Sequence, residues 1–445
     1  MFMYRFLPLP ATLLEGKPIT YGFERPYQTF FYETLLFILS SLAFYISCIW
    51  SKNLTKNNAV QKVLKQMGFF EVNVAVIWGM GIIGVLARLY FFATGEIEYG
   101  NVLGKFISRL NYLMFAPLCL FFPSILNIKF SNTRAVWLYT AFIFVLNFAS
   151  NSRQSIIAPI ATIILICLLF LIINDLRLRD VASTGKTVIV TLTLVVTYLL
   201  ISNVSLAMLH TRKIRDKVDK SELFSKTLET LQNEALMERL HRDKEQKEQT
   251  LISYSQGWTE HYLDNFMLGR YANMRITDET LYYAEKKGYA NKEMSDAFWT
   301  GVLAVFPTPI LRYFGVQLDK NKQEFSSGDL LYGKGLGGYR VTSHVGDGLA
   351  TFGYWYFPIQ TIAFFLVFML LNTFVWLGVG TVQYAPYALM NVFLFLGMFR
   401  NAGGMSAEFG YILRGYFQGV FTYLVIFWIL KYFFGNIGEL DNVNE

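Results

Sequence analysis

The stretch SIIAPIATIILICLLFLIIN, residues 155–174, carries no charged side chain. About 20 predominantly apolar residues in a helix are enough to cross the ~30 Å hydrocarbon core of a bilayer, so this segment predicts a membrane span. Similar runs recur at about 29–50, 70–93, 108–126, 135–151, 187–208, 350–378, 385–400 and 411–434. Together they predict an all-α, polytopic helical membrane protein with about nine or more spans. The fourth and fifth spans are divided only by the polar break Asn151-Ser152-Arg153-Gln154. Composition agrees: of 445 residues, 54% are hydrophobic without counting glycine and 16% are charged. A soluble domain has ~45–50% apolar residues with glycine included and ~25% charged residues. A string of soluble domains, a disordered chain, a disulfide scaffold and a fibrous repeat are thereby excluded.

The positive-inside rule sets orientation. Lys52, Lys56, Lys62 and Lys65 follow the first span, Lys129 and Arg134 the third, and Arg177, Arg179 and Lys186 the fifth. These turns fall on one side, the cytoplasm. The intervening segments, about 94–107, 151–154, 209–349 and 401–410, are then external. The net charge of +7 is thus read through topology, and no nucleic-acid partner is expected. The chain divides into N-terminal membrane helices (1–208), a large external loop (209–349), C-terminal membrane helices (350–435) and a cytoplasmic tail (436–445). The N-terminus falls outside, so 1–28 is expected to be an external or re-entrant segment unless an earlier span precedes it.

The long loop is the informative part outside the bilayer. Residues 212–250 alternate Lys, Arg, Glu and Asp around Leu228, Leu231, Ala235, Leu236 and Leu240, which predicts an exposed, charged helix. Such a helix is either solvated or a dock for a partner. Residues 252–300 turn aromatic, with Tyr254, Trp258, Tyr262, Phe266, Tyr271, Tyr282 and Tyr283, as in a small folded cap. Phe306-Pro307-Thr308-Pro309 and a glycine-rich stretch from Gly328 to Gly338 follow.

Charged side chains in or beside hydrocarbon are costly and rarely sit there without a role. The external face collects Arg153, Arg400, Glu408, Arg414, His344 and Asp347, with Arg270 and Arg275 in the aromatic part of the loop. Each also has a plain structural use. Arg153 and Arg400 can anchor span ends at headgroups, Glu408 and Arg414 can pair locally, His344 can be an ordinary loop histidine, and Arg270 and Arg275 can bind acidic residues of their own loop. As a functional set, the arginines suit an anion, because a guanidinium is always charged and its fork matches phosphate oxygens. A histidine or carboxylate beside them can take a proton from an attacking hydroxyl.

Other signals carry little. Gly333-Lys334-Gly335-Leu336-Gly337-Gly338 matches a dinucleotide-binding pattern, but no strand precedes it and no helix opens at it. There is no Walker lysine, no H-E-x-x-H, no serine nucleophile elbow and no D-x-D pair. The three cysteines, Cys48, Cys119 and Cys167, lie in apolar runs, and His210, His241, His261 and His344 lack metal-site spacing. No metal or other cofactor is expected. Arg88, well inside the second span, and Glu33, near the outer end of the first, are charges away from the external loops.

The turn Asn151-Ser152-Arg153-Gln154-Ser155 resembles the Ser-x-Arg turn of bacterial oligosaccharide repeat-unit polymerases, the O-antigen polymerase or Wzy type. The region from Phe306-Pro307-Thr308-Pro309 through Ser343-His344-Val345-Gly346-Asp347 to Phe352-Gly353, and the tail Arg400-Asn401-Ala402-Gly403-Gly404 through Glu408 to Arg414, resemble the same family. The motifs are short, and the family commonly has near a dozen spans. The resemblance implies a GT-C-like glycosyltransferase of the bacterial inner membrane. Such an enzyme joins undecaprenyl-pyrophosphate-linked oligosaccharide units into O-antigen or exopolysaccharide at the periplasmic face, without metal or nucleotide sugar. It implies pyrophosphate binding by Arg153, Arg400 and Arg414, and contact of Arg270 and Arg275 with pyrophosphate or sugar. His344 would be the base, with Asp347 or Glu408 as alternatives, and the loop aromatics would stack on sugars. Membrane lipid and a chain-length regulator (co-polymerase) are the other implied partners. The competing expectations are an O-antigen ligase, which shares the architecture, a flippase or transporter for the same lipid-linked sugar, and a structural membrane protein whose charged loop helix docks a partner.

Overall fold

The apolar runs fold as helices. A computed structural model describes residues 6–434 except 7, 15, 52–55, 95–101, 149–152, 178–179, 181–202, 204–205, 209, 212–213, 215–219, 250–252, 257–273, 319–325, 334–339 and 379–380. The described chain is mostly helical, and one antiparallel hairpin, Val375–Leu377 with Val382–Tyr384, is its two-stranded sheet. Among the described residues, four helical stretches are long and apolar enough to cross a membrane: Pro26–Trp50, Ser155–Ile173, His344–Asn372 and Ser406–Phe434. The three cysteines are unbridged. The chain forms two units, one from residues 1–54, 239–372 and 396–418, the other from 55–238, 373–395 and 419–445.

In the first unit, Pro26–Trp50 buries Thr29, Glu33, Leu36, Ser40, Ala43 and Ser47, three or four residues apart. That spacing makes one helix face, and its small members let another backbone approach, as membrane helix interfaces require. The opposite face exposes Phe31, Ile38, Leu42 and Tyr45. The buried stripe packs on Tyr356–Asn372. Tyr32 meets Phe357, Phe44 meets Phe368, and Asn372 donates to the Ser51 hydroxyl at 3.4 Å. Partner numbers rise together along both helices, so the two run parallel.

The described part of the aromatic loop folds with the helices that follow it around a core of its own, called the cap below. Arg275–Lys287, Lys292–Ala304, Ser327–Tyr332 and His344–Phe352 enclose a core of Tyr254, Tyr283, Ala284, Met294, Leu331, Tyr332 and Ala350, with Tyr282 packed against it. The expectation that these aromatics stack on sugars is corrected for Tyr254 and Tyr283, whose rings are buried in the cap's own core. Trp258, Tyr262, Phe266, Arg270 and Tyr271 lie outside the described residues. Asp278 joins the cap to the first membrane helix. Its carboxylate accepts from the N–H groups of Glu24 (2.7 Å) and Arg25 (2.9 Å), from the Thr29 hydroxyl (2.8 Å) and from the Tyr254 hydroxyl (2.7 Å). It therefore caps the Pro26–Trp50 N-terminus from a distant segment, where orphan N–H groups and the helix dipole favour an anion. Burial, and then the Asp278 charge, push the Tyr254 phenol well above its ordinary value.

The second unit departs from the expected spans in three places. The third span, predicted over 108–126, is a 3-10 helix over Arg109–Phe121 containing Pro117. Val74–Thr94 packs directly on it; a Cβ on Gly84 would lie 2.0 Å from the Met114 nitrogen. The Tyr139 hydroxyl donates to the Met114 carbonyl at 2.8 Å, satisfying a group this irregular segment leaves open. The seventh span, predicted to reach residue 378, stops as a helix at Asn372. The chain then enters the hairpin, whose edge is tied by Asn57 to Leu377 and by Gln61 to the Val375 carbonyl (2.6 Å). The eighth, predicted over 385–400, is two short helices, Pro386–Met390 and Val392–Gly397. Most of the sixth, 187–208, lies outside the described residues. The charged helix predicted within 212–250 is two helices, Lys220–Gln232 and Glu234–Gln249, the second capped by Asn233, whose side chain accepts from the Leu236 N–H at 3.0 Å. These helices are not wholly exposed: Leu223, Thr227 and Met237 are buried.

Candidate functional site

His344 opens a short helix because of what flanks it. Ser343 accepts from the Gly346 N–H at 3.0 Å as an N-cap. The His344 N–H donates to the Asn401 carbonyl at 2.9 Å, and Ser343 bridges to Ala402. The 401–404 turn is thereby fixed beside the start of the His344 helix. Gly346 permits close packing: a Cβ there would meet the Thr280 side chain at 2.4 Å.

Two segments 64 positions apart then bring their titratable groups together. His344 Nε2 lies 2.8 Å from Glu408 Oε1, and His344 Nδ1 lies 3.0 Å from the Tyr356 hydroxyl. His344 is 1% exposed, Glu408 and Tyr356 0%. With Glu408 ionised, Nε2–H is the donor to it, and the neutral ring accepts the Tyr356 proton at Nδ1. Both ring nitrogens are therefore engaged. Asp347, one turn along the same helix, is buried and faces the Met405 backbone and Ser327. Gly404 lies directly against it: a Cβ there would be 2.6 Å from Asp347 Oδ2. Asp347 Oδ1 and Glu408 Oε2 have no hydrogen-bond partner among the described residues. The arrangement holds two carboxylates with unfilled acceptor capacity around one oriented imidazole. No group of three or more metal-ligating side chains gathers among the described residues.

The arginines are distributed differently. Arg400, half-buried, directly precedes the Asn401 that binds His344. Arg414 lies in a π-helical turn, Tyr411–Gly415, inside the last long helix. It donates to Gln418 Oε1 at 2.8 Å and to the Val305 carbonyl at 3.0 Å, where a cation complements the end of Lys292–Ala304. The local Glu408–Arg414 pair considered above does not form here, because Glu408 binds His344. Arg275 is buried, donates through Nε–H to the Gly22 carbonyl at 3.0 Å and lies over the Tyr254 ring. Arg153 heads the helix Arg153–Ile173 in the second unit. Arg270 lies outside the described residues.

Sequence reasoning named His344, Asp347 and Glu408 but missed three partners. Tyr356 stands in an aromatic run with nothing to single it out. Asn401 acts through its backbone carbonyl, which has no sequence signal. Asp278 sits within an ordinary polar helix. No family model, curated protein or solved structure matches this chain.

Proposed function

We propose that this protein is a membrane glycosyltransferase that polymerises oligosaccharide repeat units carried on undecaprenyl pyrophosphate, at the periplasmic face of a bacterial inner membrane. The observation that carries the proposal is the meeting of His344, Asp347 and Glu408 at the N-terminal ends of two long apolar helical stretches, with Arg400 directly preceding the Asn401 whose carbonyl accepts from the His344 N–H. About nine spans and a GT-C-like plan belong to the same proposal. Its topology makes the first and seventh spans run in one direction, and the parallel packing of Pro26–Trp50 on Tyr356–Asn372 agrees with that.

In this mechanism a sugar hydroxyl of one unit attacks the anomeric carbon of the glycan on the second carrier. The new C–O bond forms as the bond to pyrophosphate breaks. The hydroxyl proton passes to an open carboxylate oxygen of Asp347 or Glu408, and His344, held by Tyr356, orients Glu408. The departing pyrophosphate takes the charge of Arg400, with Arg414 and Arg270 as further anion contacts. The guanidinium of Arg275 is committed to the cap and positions it.

Complete burial of the His344–Glu408 pair favours one second reading, a structural lock between the two segments. A single experiment separates them. In cells lacking the gene, plasmid-borne wild-type protein should restore a long glycan ladder, whereas Asp347→Asn and Glu408→Gln should leave single-unit glycans at normal membrane abundance. Ladders of normal length from both variants would refute the catalytic assignment. Loss of the protein itself from the membrane would favour the lock. Long polymer left on the carrier lipid in the deletion strain would favour a ligase.

A further inference from the structure

The helix Ala59–Gln66, in the second unit, is eight residues long and presents three different strips. A helix this short is marginal in water by itself, so it depends on its contacts. Asn58 caps it: the Asn58 side chain accepts from the Gln61 N–H at 2.9 Å, and the Gln61 side chain accepts from the Asn58 N–H at 2.6 Å. Gln61 and Leu64, three apart, are buried and hold the helix to the protein, Gln61 also through the Val375 carbonyl of the hairpin. Val60 and Val63, again three apart, form a second strip and are 48% and 52% exposed. The third strip is basic and polar, with Lys62 and Gln66 exposed and Lys65 half-buried, and Lys56 is exposed just before the helix. No Asp or Glu occurs between residues 51 and 70, so this charge has no counterpart within the segment.

The residues after the helix tie it to the end of a long apolar helix. The Trp428 indole N–H donates to the Met67 carbonyl at 3.0 Å, and Lys431 Nζ lies 3.2 Å from a Glu71 carboxylate oxygen. Trp428 and Lys431 stand in the last turns of Tyr416–Phe434, the close of a stretch able to cross a membrane. Those turns also expose Trp428, Tyr432 and Phe433, and Trp and Tyr concentrate where a bilayer meets water. We propose that Ala59–Gln66 is an interfacial helix that binds the surface of an anionic lipid bilayer. It lies in the membrane plane, with Val60 and Val63 turned into the boundary between headgroups and acyl chains, as amphipathic surface helices are. Lys56, Lys62 and Lys65 meet the phosphates of the headgroups, the attraction that holds basic segments beside a span to anionic lipid. This inference rests on the membrane reading of the chain and is independent of the polymerase reading.

The test uses the full-length protein in nanodiscs of phosphatidylcholine, with and without phosphatidylglycerol, and labels it with a charged, water-soluble maleimide. Val63→Cys and Gln66→Cys are both at exposed positions, so they label at similar rates if nothing covers the helix. Unsubstituted protein gives the background of Cys48, Cys119 and Cys167. With phosphatidylglycerol present, Val63→Cys should label at least tenfold more slowly than Gln66→Cys. Adding Lys56→Gln, Lys62→Gln and Lys65→Gln to the Val63→Cys chain should speed its labelling threefold or more. Leaving out phosphatidylglycerol should do the same with every lysine in place, which separates loss of lipid contact from unfolding of the variant. Equal rates at the two cysteines, or protection of Val63→Cys that does not change when phosphatidylglycerol is left out, would overturn the proposal. Protection present in native membranes and absent from the nanodiscs would also overturn it, by assigning the strip to a protein partner.

Discussion

Removing Glu408, His344 or both should expose how strongly the buried pair is coupled. Glu408→Ala leaves a buried imidazole N–H without its acceptor at 2.8 Å, a loss of about 1–3 kcal/mol. His344→Ala leaves a carboxylate at 0% exposure without its donor, and breaking a buried pair in this way costs about 3–5 kcal/mol. Each alanine also leaves a cavity, but that contribution recurs in the double variant and cancels in a double-mutant cycle. The double variant strands neither partner, so it should be less damaged than the sum of the single variants by about 2–3 kcal/mol, the upper part of the range for contacting residues. The assay is reversible unfolding of the three variants and wild type in mixed micelles of fixed composition. Additivity to within about 0.5 kcal/mol, the behaviour of independent sites, would refute the claim that His344 and Glu408 form one interacting unit.

Asp278→Asn keeps the shape but converts one of two accepting oxygens to a donor, so of the four hydrogen bonds at Asp278 one to a backbone N–H is lost, the hydroxyl on that oxygen must turn to accept, and the bonds that remain lose their charge assistance. A stability loss of about 2–4 kcal/mol is expected from charge-assisted bonds of this class, and faster proteolysis between the cap and the first membrane helix should accompany it. Tyr254 ionises at higher pH folded than unfolded, because of burial and then Asp278. Its contribution is therefore complete below the unfolded value of about 10 and falls as pH rises from there toward the folded value. Tyr254→Phe should reduce the alkaline slope of stability above about pH 10, measured by unfolding across that range, at the cost of one donor to Asp278.

Membrane helices were readable from sequence where apolar runs are long and uninterrupted, as in 155–174. The same composition misled where the backbone had other demands. Residues 374–377, Phe-Val-Trp-Leu, fit a helix end and a short strand equally well, since a brief apolar run does not separate the two. Pairing with Val382–Tyr384 decided for the strand. Pro117 and the close approach at Gly84 replaced an α-helix with a 3-10 one. For the site, charge cost and topology were enough to place His344, Asp347 and Glu408 on one side. Their distances depend on the 401–404 turn, which is held by backbone bonds. The aromatic cap shows a further limit: a tyrosine that packs a core and one that faces a sugar have the same letter.

The parallel pairing of Pro26–Trp50 with Tyr356–Asn372 has a consequence for biogenesis. The two helices are about 300 residues apart in the chain, which at ~5–20 residues per second of synthesis is roughly 15–60 s. During that interval the first helix must sit in the bilayer without the surface that covers Ser40, Ala43 and Ser47, and without Thr277 to hold Glu33 at 2.7 Å. An unfinished chain therefore displays a polar stripe to the insertion machinery and to membrane quality-control proteases. Products truncated before residue 356 should be short-lived, and completion of the fold is registered only when the distant helix arrives.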